Sequence, residues 1–350
     1  MREIAADVQR WLARGDRVAL ATVVATRRSA PRPVGAKLAV STSGELAGSV
    51  SGGCVESEVT AQAQEVLAGG SPRLLTYGIA DELAFEIGLP CGGEIDVFVA
   101  EPARPVLDRL LAVSTNGERA AHVVVVAGEP LGAETVVAED GAPAGDAPRP
   151  LADVAAEAFD GPGRLVEQED ATVFIDRYGP PARLLVFGAV DTAEALCRAA
   201  GALGWRTAVA DARAALATRE RLPSADELLV GWPEEALARA QPDRGTAVVV
   251  LSHEDRFDVP ALLGALASDA FYVGAIGSRR TQERRRERLR EEGVDEEAIE
   301  RIAGPTGLDI GASTPAETAV SILAEILATR SGRSGGRLKE ARGRIHADVA

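Results

Sequence analysis

Residues 183–188 read Arg-Leu-Leu-Val-Phe-Gly, and comparable continuous apolar runs return at 207–211, 246–251 and 270–276, with helical patterns between them. A strand apolar on both sides is satisfied only in a sheet covered on both faces, and strands separated by helices are joined in parallel by crossovers. The second half is therefore expected to be α/β, a Rossmann-like doubly wound parallel sheet whose first helix covers 192–203. Two prolines follow Gly179 and interrupt either periodicity. The boundary is placed there, giving a first domain over 1–178 and a second over 182–330. The polar, glycine-rich residues 331–350 are expected to form a mobile tail.

In such a sheet ligands bind beyond the carboxyl ends of the strands, so the residues leaving each strand carry the chemistry. Gly188-Ala189-Val190-Asp191 leaves the first strand and opens a helix. Asp211 ends the second strand, about twenty residues on, where dinucleotide folds place a ribose-binding acid. Only the first glycine of the Gly-x-Gly-x-x-Gly fingerprint is present, since Val190 and Ala193 hold the other two positions. Val190 would crowd a pyrophosphate and Asp191 would repel it, so NAD(P) is not expected at this turn. The plainer alternative is a nucleotide-type fold without its nucleotide.

His253, just past the third strand, is either an acid, base or donor, or a structural histidine. After the fourth strand, Gly277-Ser278-Arg279-Arg280 brings a hydroxyl and guanidinium groups to a helix start, which suits phosphate; the competing reading is that Arg279 and Arg280 only begin an exposed, charge-laced helix. Arg284, Arg285 and Arg286 read instead as a solvated, charge-laced helix face. Further on, Thr314, Pro315 and Glu317 make a capping box. Asp309 and Gly311 are not explained by capping and are expected at the ligand-binding edge.

The first half mixes helices expected at 3–14, 55–67 and 106–113 with strands expected at 17–25, 73–77, 94–99, 121–127, 164–166 and 172–175. Residues 37–41 and 45–50 read as a hairpin. Between strand and helix lies Ser51-Gly52-Gly53-Cys54-Val55-Glu56. The glycines permit a tight turn, and unpaired N–H groups at a helix start favour an anion and favour thiolate over thiol. Cys91, in Pro90-Cys91-Gly92-Gly93, has a mirrored setting before a strand. The two cysteines are read either as small buried apolar residues or as functional thiols. The third, Cys197, falls within a helical pattern, and a disulfide is disfavoured. The three histidines, His122, His253 and His346, lack the paired spacing of a zinc site.

A formal net charge of -15 argues against a nucleic-acid-binding surface, although it leaves room for a local basic pocket. No apolar run reaches the length of a membrane span and the N-terminus does not read as a secretory signal, so a cytoplasmic protein is expected.

Four separated stretches, 48–56, 88–93, 272–280 and 307–319, together resemble the XdhC and CoxI family, in the expected order and over nearly the whole chain to about residue 330. The resemblance implies a maturation factor rather than a turnover enzyme. Such a factor binds the molybdenum cofactor, as molybdopterin or its cytidine dinucleotide form, and shields it while a cysteine desulfurase supplies the terminal sulfur. It then hands the cofactor to an apo molybdenum hydroxylase of the xanthine dehydrogenase or carbon monoxide dehydrogenase type. On this reading Cys54 and Cys91 ligate molybdenum or carry sulfur, with Gly52, Gly53, Glu56, Gly92 and Gly93 around them. Arg27, Arg28 and Arg32 pair with phosphate, and Gly188, Asp211, His253, Gly277, Ser278, Arg279 and Asp309 line a second anion-binding edge. Association of identical subunits is also expected. Many relatives carry a more glycine-rich turn at Gly188. Two other readings stay open: an NAD(P)-dependent oxidoreductase using Asp211 and the Gly188 turn, and a sulfurtransferase carrying a persulfide on Cys54.

Overall fold

A computed structural model describes residues 1–28, 30–78, 93–139, 143–145, 163–168 and 170–340. Its contacts divide into two compact units, Met1–Pro180 and Pro181–Glu340.

The first unit opens with α1 (Arg2–Ala13), whose Ile4, Val8 and Trp11 recur at helical spacing and are buried. Beneath it is a five-stranded antiparallel sheet in the order β3-β2-β1-β5-β4. Its strands are β1 (Val18–Arg27), β2 (Lys37–Ser41), β3 (Leu46–Gly48), β4 (Arg73–Tyr77) and β5 (Glu94–Ala100). Alternate β1 residues Ala19, Ala21 and Val23 face α2 (Glu56–Leu67), which buries Val59, Ala63, Val66 and Leu67 against them. After α3 (Arg104–Asn116) comes a second antiparallel sheet, β7-β6-β9-β8. It contains β6 (Ala120–Gly128), β7 (Glu134–Ala138), β8 (Arg164–Glu167) and β9 (Ala171–Tyr178). Phe98 of the first sheet packs with Val124, Val126 and Phe174 of the second. The hairpin forms as expected, but β3 stops at Gly48: Ser49 gives its N–H to Lys37 of β2 while its hydroxyl turns to Glu56, and the N–H groups of Val50 and Ser51 go to that same side chain instead of a neighbouring strand.

The second unit contains β10 (Arg183–Phe187), β11 (Arg206–Asp211), β12 (Glu227–Val230), β13 (Thr246–Val250), β14 (Tyr272–Ala275) and β15 (Ile302–Ala303). Their order is β12-β11-β10-β13-β14-β15, and every neighbouring pair is parallel. This is the doubly wound arrangement, with the strand order reversing between β10 and β13. Both faces are covered, which is why the central strands β10 and β13 are almost wholly apolar. Leu184 and Val186 of β10 point into one core with α4 (Asp191–Ala202) and α9 (Pro315–Arg330), while Leu185 and Phe187 point into the other with α6 (Asp255–Ala267). The helices α5 (Pro233–Ala240), α7 (Arg279–Glu291) and α8 (Glu296–Glu300) complete the unit. Cys197 lies on α4, fully buried, and burial pushes its thiol up to about 12. No helix among the described residues is long and apolar enough to cross a membrane.

Candidate functional site

The turn between β3 and α2 holds an exposed cysteine on a fully hydrogen-bonded frame. Gly52 and Gly53 adopt φ of +77° and +114°, conformations that a side chain disfavours. Into their turn reaches the carboxylate of Glu56, the first residue of α2. It accepts from Ser49 Oγ at 2.5 Å and from the N–H groups of Val50, Ser51 and Gly53 at 3.2, 2.8 and 2.8 Å. Ser51 Oγ donates to it as well, and itself accepts the Cys54 and Val55 N–H groups at 2.9 and 3.0 Å. Ser49 Oγ takes the Gly52 N–H at 2.8 Å. Burial pushes the Glu56 pKa up, but the bonds from Ser49 and Ser51 outweigh it and bring the carboxyl to about 2.

The expected free N–H groups for an outside anion are therefore absent here, since Glu56 and Ser51 already take them. What remains presented to solvent is the Cys54 thiol. Cys91 and Gly92 lie outside the described residues, and Gly93, beside β5, is buried.

Of the loop arginines, Arg27 pairs with Asp96 at 2.6 Å and Arg32 with Glu3 at 2.6 Å. Arg28 is exposed and makes no ion pair with a described residue. Arg32 borders a cavity of about 350 Å3 that also touches Lys37, Asp176, Arg177 and Tyr178. The Arg32 Nε is buried without a hydrogen-bond partner among the described residues. Lys37, expected only as a strand residue, is buried 2.6 Å from Asp176, to which Tyr178 donates at 2.8 Å. Burial pushes the Asp176 carboxyl up, and Lys37 more than reverses this and holds it below the usual range. Sequence reasoning missed this pair because the two charges lie in different strands, 139 residues apart.

In the second unit, Gly188, Asp211, His253, Gly277, Ser278, Arg279 and Asp309 all follow or end strands at the carboxyl edge of one sheet. Gly188 has φ +114°, and a Cβ there would come within 3.1 Å of the Ser252 N, so this turn lies against the chain leaving β13. Asp211 is buried and faces inward. Its carboxylate accepts the Ala189 N–H at 2.8 Å and is held by Arg213 at 2.7 and 2.9 Å. Burial pushes its pKa up, but these bonds keep the carboxyl below the usual range. Ser278 caps α7 by accepting the Thr281 N–H at 3.1 Å. His253, Arg279 and Asp309 are exposed, and neither Arg279 nor Asp309 pairs with a described residue.

Arg285 departs from its expected solvated place. It is 2% exposed, forms an ion pair with Asp258, and donates to the carbonyl oxygens of Ser252, at 2.9 Å, and Ile276. One guanidinium thus ties the chains leaving β13 and β14 together. The signal was faint but present: Gln282, Arg285 and Leu289 share the inner face of α7, and Asp258 sits within an apolar helix. The loop after β15 is held similarly. Glu325 of α9 accepts from Tyr272 Oη at 2.5 Å and the Gly307 N–H at 2.8 Å. Among the described residues no cluster of three or more His, Cys, Asp or Glu side chains forms a metal-ion site.

The chain matches the model of the XdhC and CoxI family over residues 11–78 and that of the XdhC Rossmann domain over residues 184–326. It is 29% identical over 321 residues to the molybdenum cofactor insertion chaperone PaoD of Escherichia coli (strain K12), covering 90% of this chain and 84% of that one. A probable xanthine dehydrogenase subunit of Bacillus subtilis (strain 168) is 28% identical over 323 residues, 89% and 92% of the two chains. A crystal structure described as a xanthine dehydrogenase from Bacillus halodurans matches with a TM-score of 0.75 over 97% of this chain and 98% of that one. At 24% identity that match is a likeness of fold.

Proposed function

Because this chain belongs to the XdhC and CoxI family, we propose that it serves molybdenum cofactor maturation: it binds the cofactor as cargo, supports its sulfuration and delivers it to a molybdenum hydroxylase of the xanthine dehydrogenase or carbon monoxide dehydrogenase type. The observation that carries this reading is the exposed Cys54 thiol on a turn held by Glu56. A thiolate is a soft ligand suited to molybdenum, and it also attacks a persulfide. In the second role Cys54 takes the outer sulfur from a cysteine desulfurase persulfide, releasing the donor's thiolate and becoming a persulfide itself. The cavity beside Arg32, with its unpartnered Nε, is where the cofactor's phosphate would be held. The oxidoreductase reading is not adopted, because Asp211 spends its carboxylate on Ala189 and Arg213.

Co-expression with the genes for cofactor synthesis, followed by mass and metal analysis, is expected to find pterin and molybdenum on the purified protein. Protein free of both under those conditions would overturn the proposal. Cys54→Ala should stay folded yet leave a co-expressed client hydroxylase inactive. A client matured to wild-type activity by that variant would reduce the thiol to a packing group.

A further inference from the structure

The cavity of about 350 Å3 in the first unit has two polar atoms on its walls that the described residues leave unused. Asp176 supplies the first. Its Oδ2 accepts from Lys37 at 2.6 Å and from Tyr178 at 2.8 Å, whereas its Oδ1 accepts no hydrogen bond from a described residue. Gly35, which also lines the cavity, has φ +85°, and a Cβ placed there would stand 3.1 Å from that Oδ1. The missing side chain therefore leaves the oxygen open on that side. Arg32 supplies the second atom, its Nε. The Asp176 carboxyl sits below its usual range, so at neutral pH it accepts hydrogen bonds and donates none. A buried ion pair adds little stability over apolar side chains of the same volume, so packing does not explain why one borders this cavity. Ile4 and Val34 give the cavity apolar walls, and its volume lies within the roughly 300–1,000 Å3 of pockets that enclose small molecules. The thiol turn starts at the same wall: the Ser49 N–H donates to the Lys37 carbonyl at 2.9 Å, and Gly48 lies against Ile4.

We propose that Asp176 is the residue by which this cavity selects a pterin, its Oδ1 accepting a hydrogen from the 2-amino group of the aminopyrimidinone ring. The ligand class is a 2-amino-4-oxopteridine, and the assignment rests on the cofactor reading given above. A ring of this kind presents an amine and a ring N–H on one edge, beside a carbonyl. An ionised carboxylate held among apolar neighbours discriminates in favour of that edge, because a ligand with a carbonyl in place of the amine would face it acceptor to acceptor and leave it unpaired. Arg32 suits the phosphate at the other end of the cofactor and does not read the ring. With the pterin on Asp176 and the phosphate on Arg32, the cargo lies at the end of the sheet from which the Cys54 turn leaves.

The test titrates the full chain with pterin and with lumazine, which carries a carbonyl at the 2-position, and follows the fluorescence of each ring. Pterin is expected to bind saturably and at least about tenfold more tightly than lumazine, the effect of one hydrogen bond to a charged group. Asp176→Asn, which puts an amide in place of the carboxylate, should bring that ratio to about twofold or less. This variant leaves Lys37 without its counter-charge, so Gly35→Ala, which keeps the ion pair and fills the space beside Oδ1, decides the matter if circular dichroism shows Asp176→Asn unfolded. Gly35→Ala should weaken pterin by about tenfold and lumazine much less, since only pterin gives a hydrogen to that oxygen. No saturable binding of pterin, equal affinity for pterin and lumazine, or a preference that persists in every folded variant overturns the proposal. The cofactor reading is tested apart from it by the co-expression experiment. Molybdenum and pterin on the wild-type protein, together with equal affinities for the two rings, would remove the role of Asp176 and leave the cofactor reading in place. A tenfold preference for pterin in a protein that carries no cofactor after co-expression would remove the cofactor reading and leave Asp176 as a pterin-selecting residue, about tenfold being again the loss of one hydrogen bond.

Discussion

Glu56 decides the shape of the thiol turn, and its chemistry gives that decision a pH dependence. Its carboxyl titrates near 2 when folded against an ordinary value of 4.5, so the folded state holds it in the charged form. A depressed carboxyl contributes stability that is complete above the unfolded pKa and is lost as pH falls toward the folded one. The stability of the first unit should accordingly fall between about pH 4.5 and 2 through this group. Glu56→Gln should unfold at lower urea than wild type near neutral pH, and the difference between the two should shrink on acidification. A difference independent of pH would mean that Glu56 acts through shape and not charge. The sequence showed the glycines and the thiol at this turn, and from spacing alone it suggested open N–H groups. It did not show that Glu56, two residues after the thiol, folds back to take them, because a side chain's direction depends on where β3 ends.

At the level of elements, Arg285 has the same lesson with a larger energy. It joins α7 to α6 through Asp258 and to the ends of β13 and β14 through two carbonyls. Removing one member of a buried pair leaves an uncompensated charge, so Arg285→Ala should cost about 3–5 kcal/mol in chemical denaturation. Replacing both partners, as Arg285→Met with Asp258→Leu, should cost less, because two apolar side chains leave no buried charge behind. Equal losses in the single and double variants would mean that the tie to Ser252 and Ile276 carries the stability. Regular elements were readable from pattern: the burial of both faces wrote itself into β10 and β13 as unbroken apolar runs, and the Thr314–Glu317 capping box at the start of α9 forms as its residues indicate. A buried arginine among the many charged residues of α7 leaves only a faint periodic mark.

For the molecule as a whole, each unit has its own cores, and those of residues 181–340 draw only on residues of that unit. Residues 181–340 expressed alone are therefore expected to melt cooperatively by circular dichroism, with native-like helix content. A broad, non-cooperative transition would show that the unit needs the rest of the chain. Local rules are enough to specify a parallel sheet covered on both faces, four of its six strands, and the exposed edge where glycines and polar residues leave them, since these leave a repeating trace in the chain, whereas the short β12 and β15 do not. The strand order of the second unit, the burial of Lys37 beside Asp176, the inward turn of Asp211 and the capture of the thiol turn by Glu56 were decided only by tertiary structure. Each of these side chains depends on finding a partner that the chain brings near in space, and desolvation makes that partner, not the local pattern, set where the charge goes.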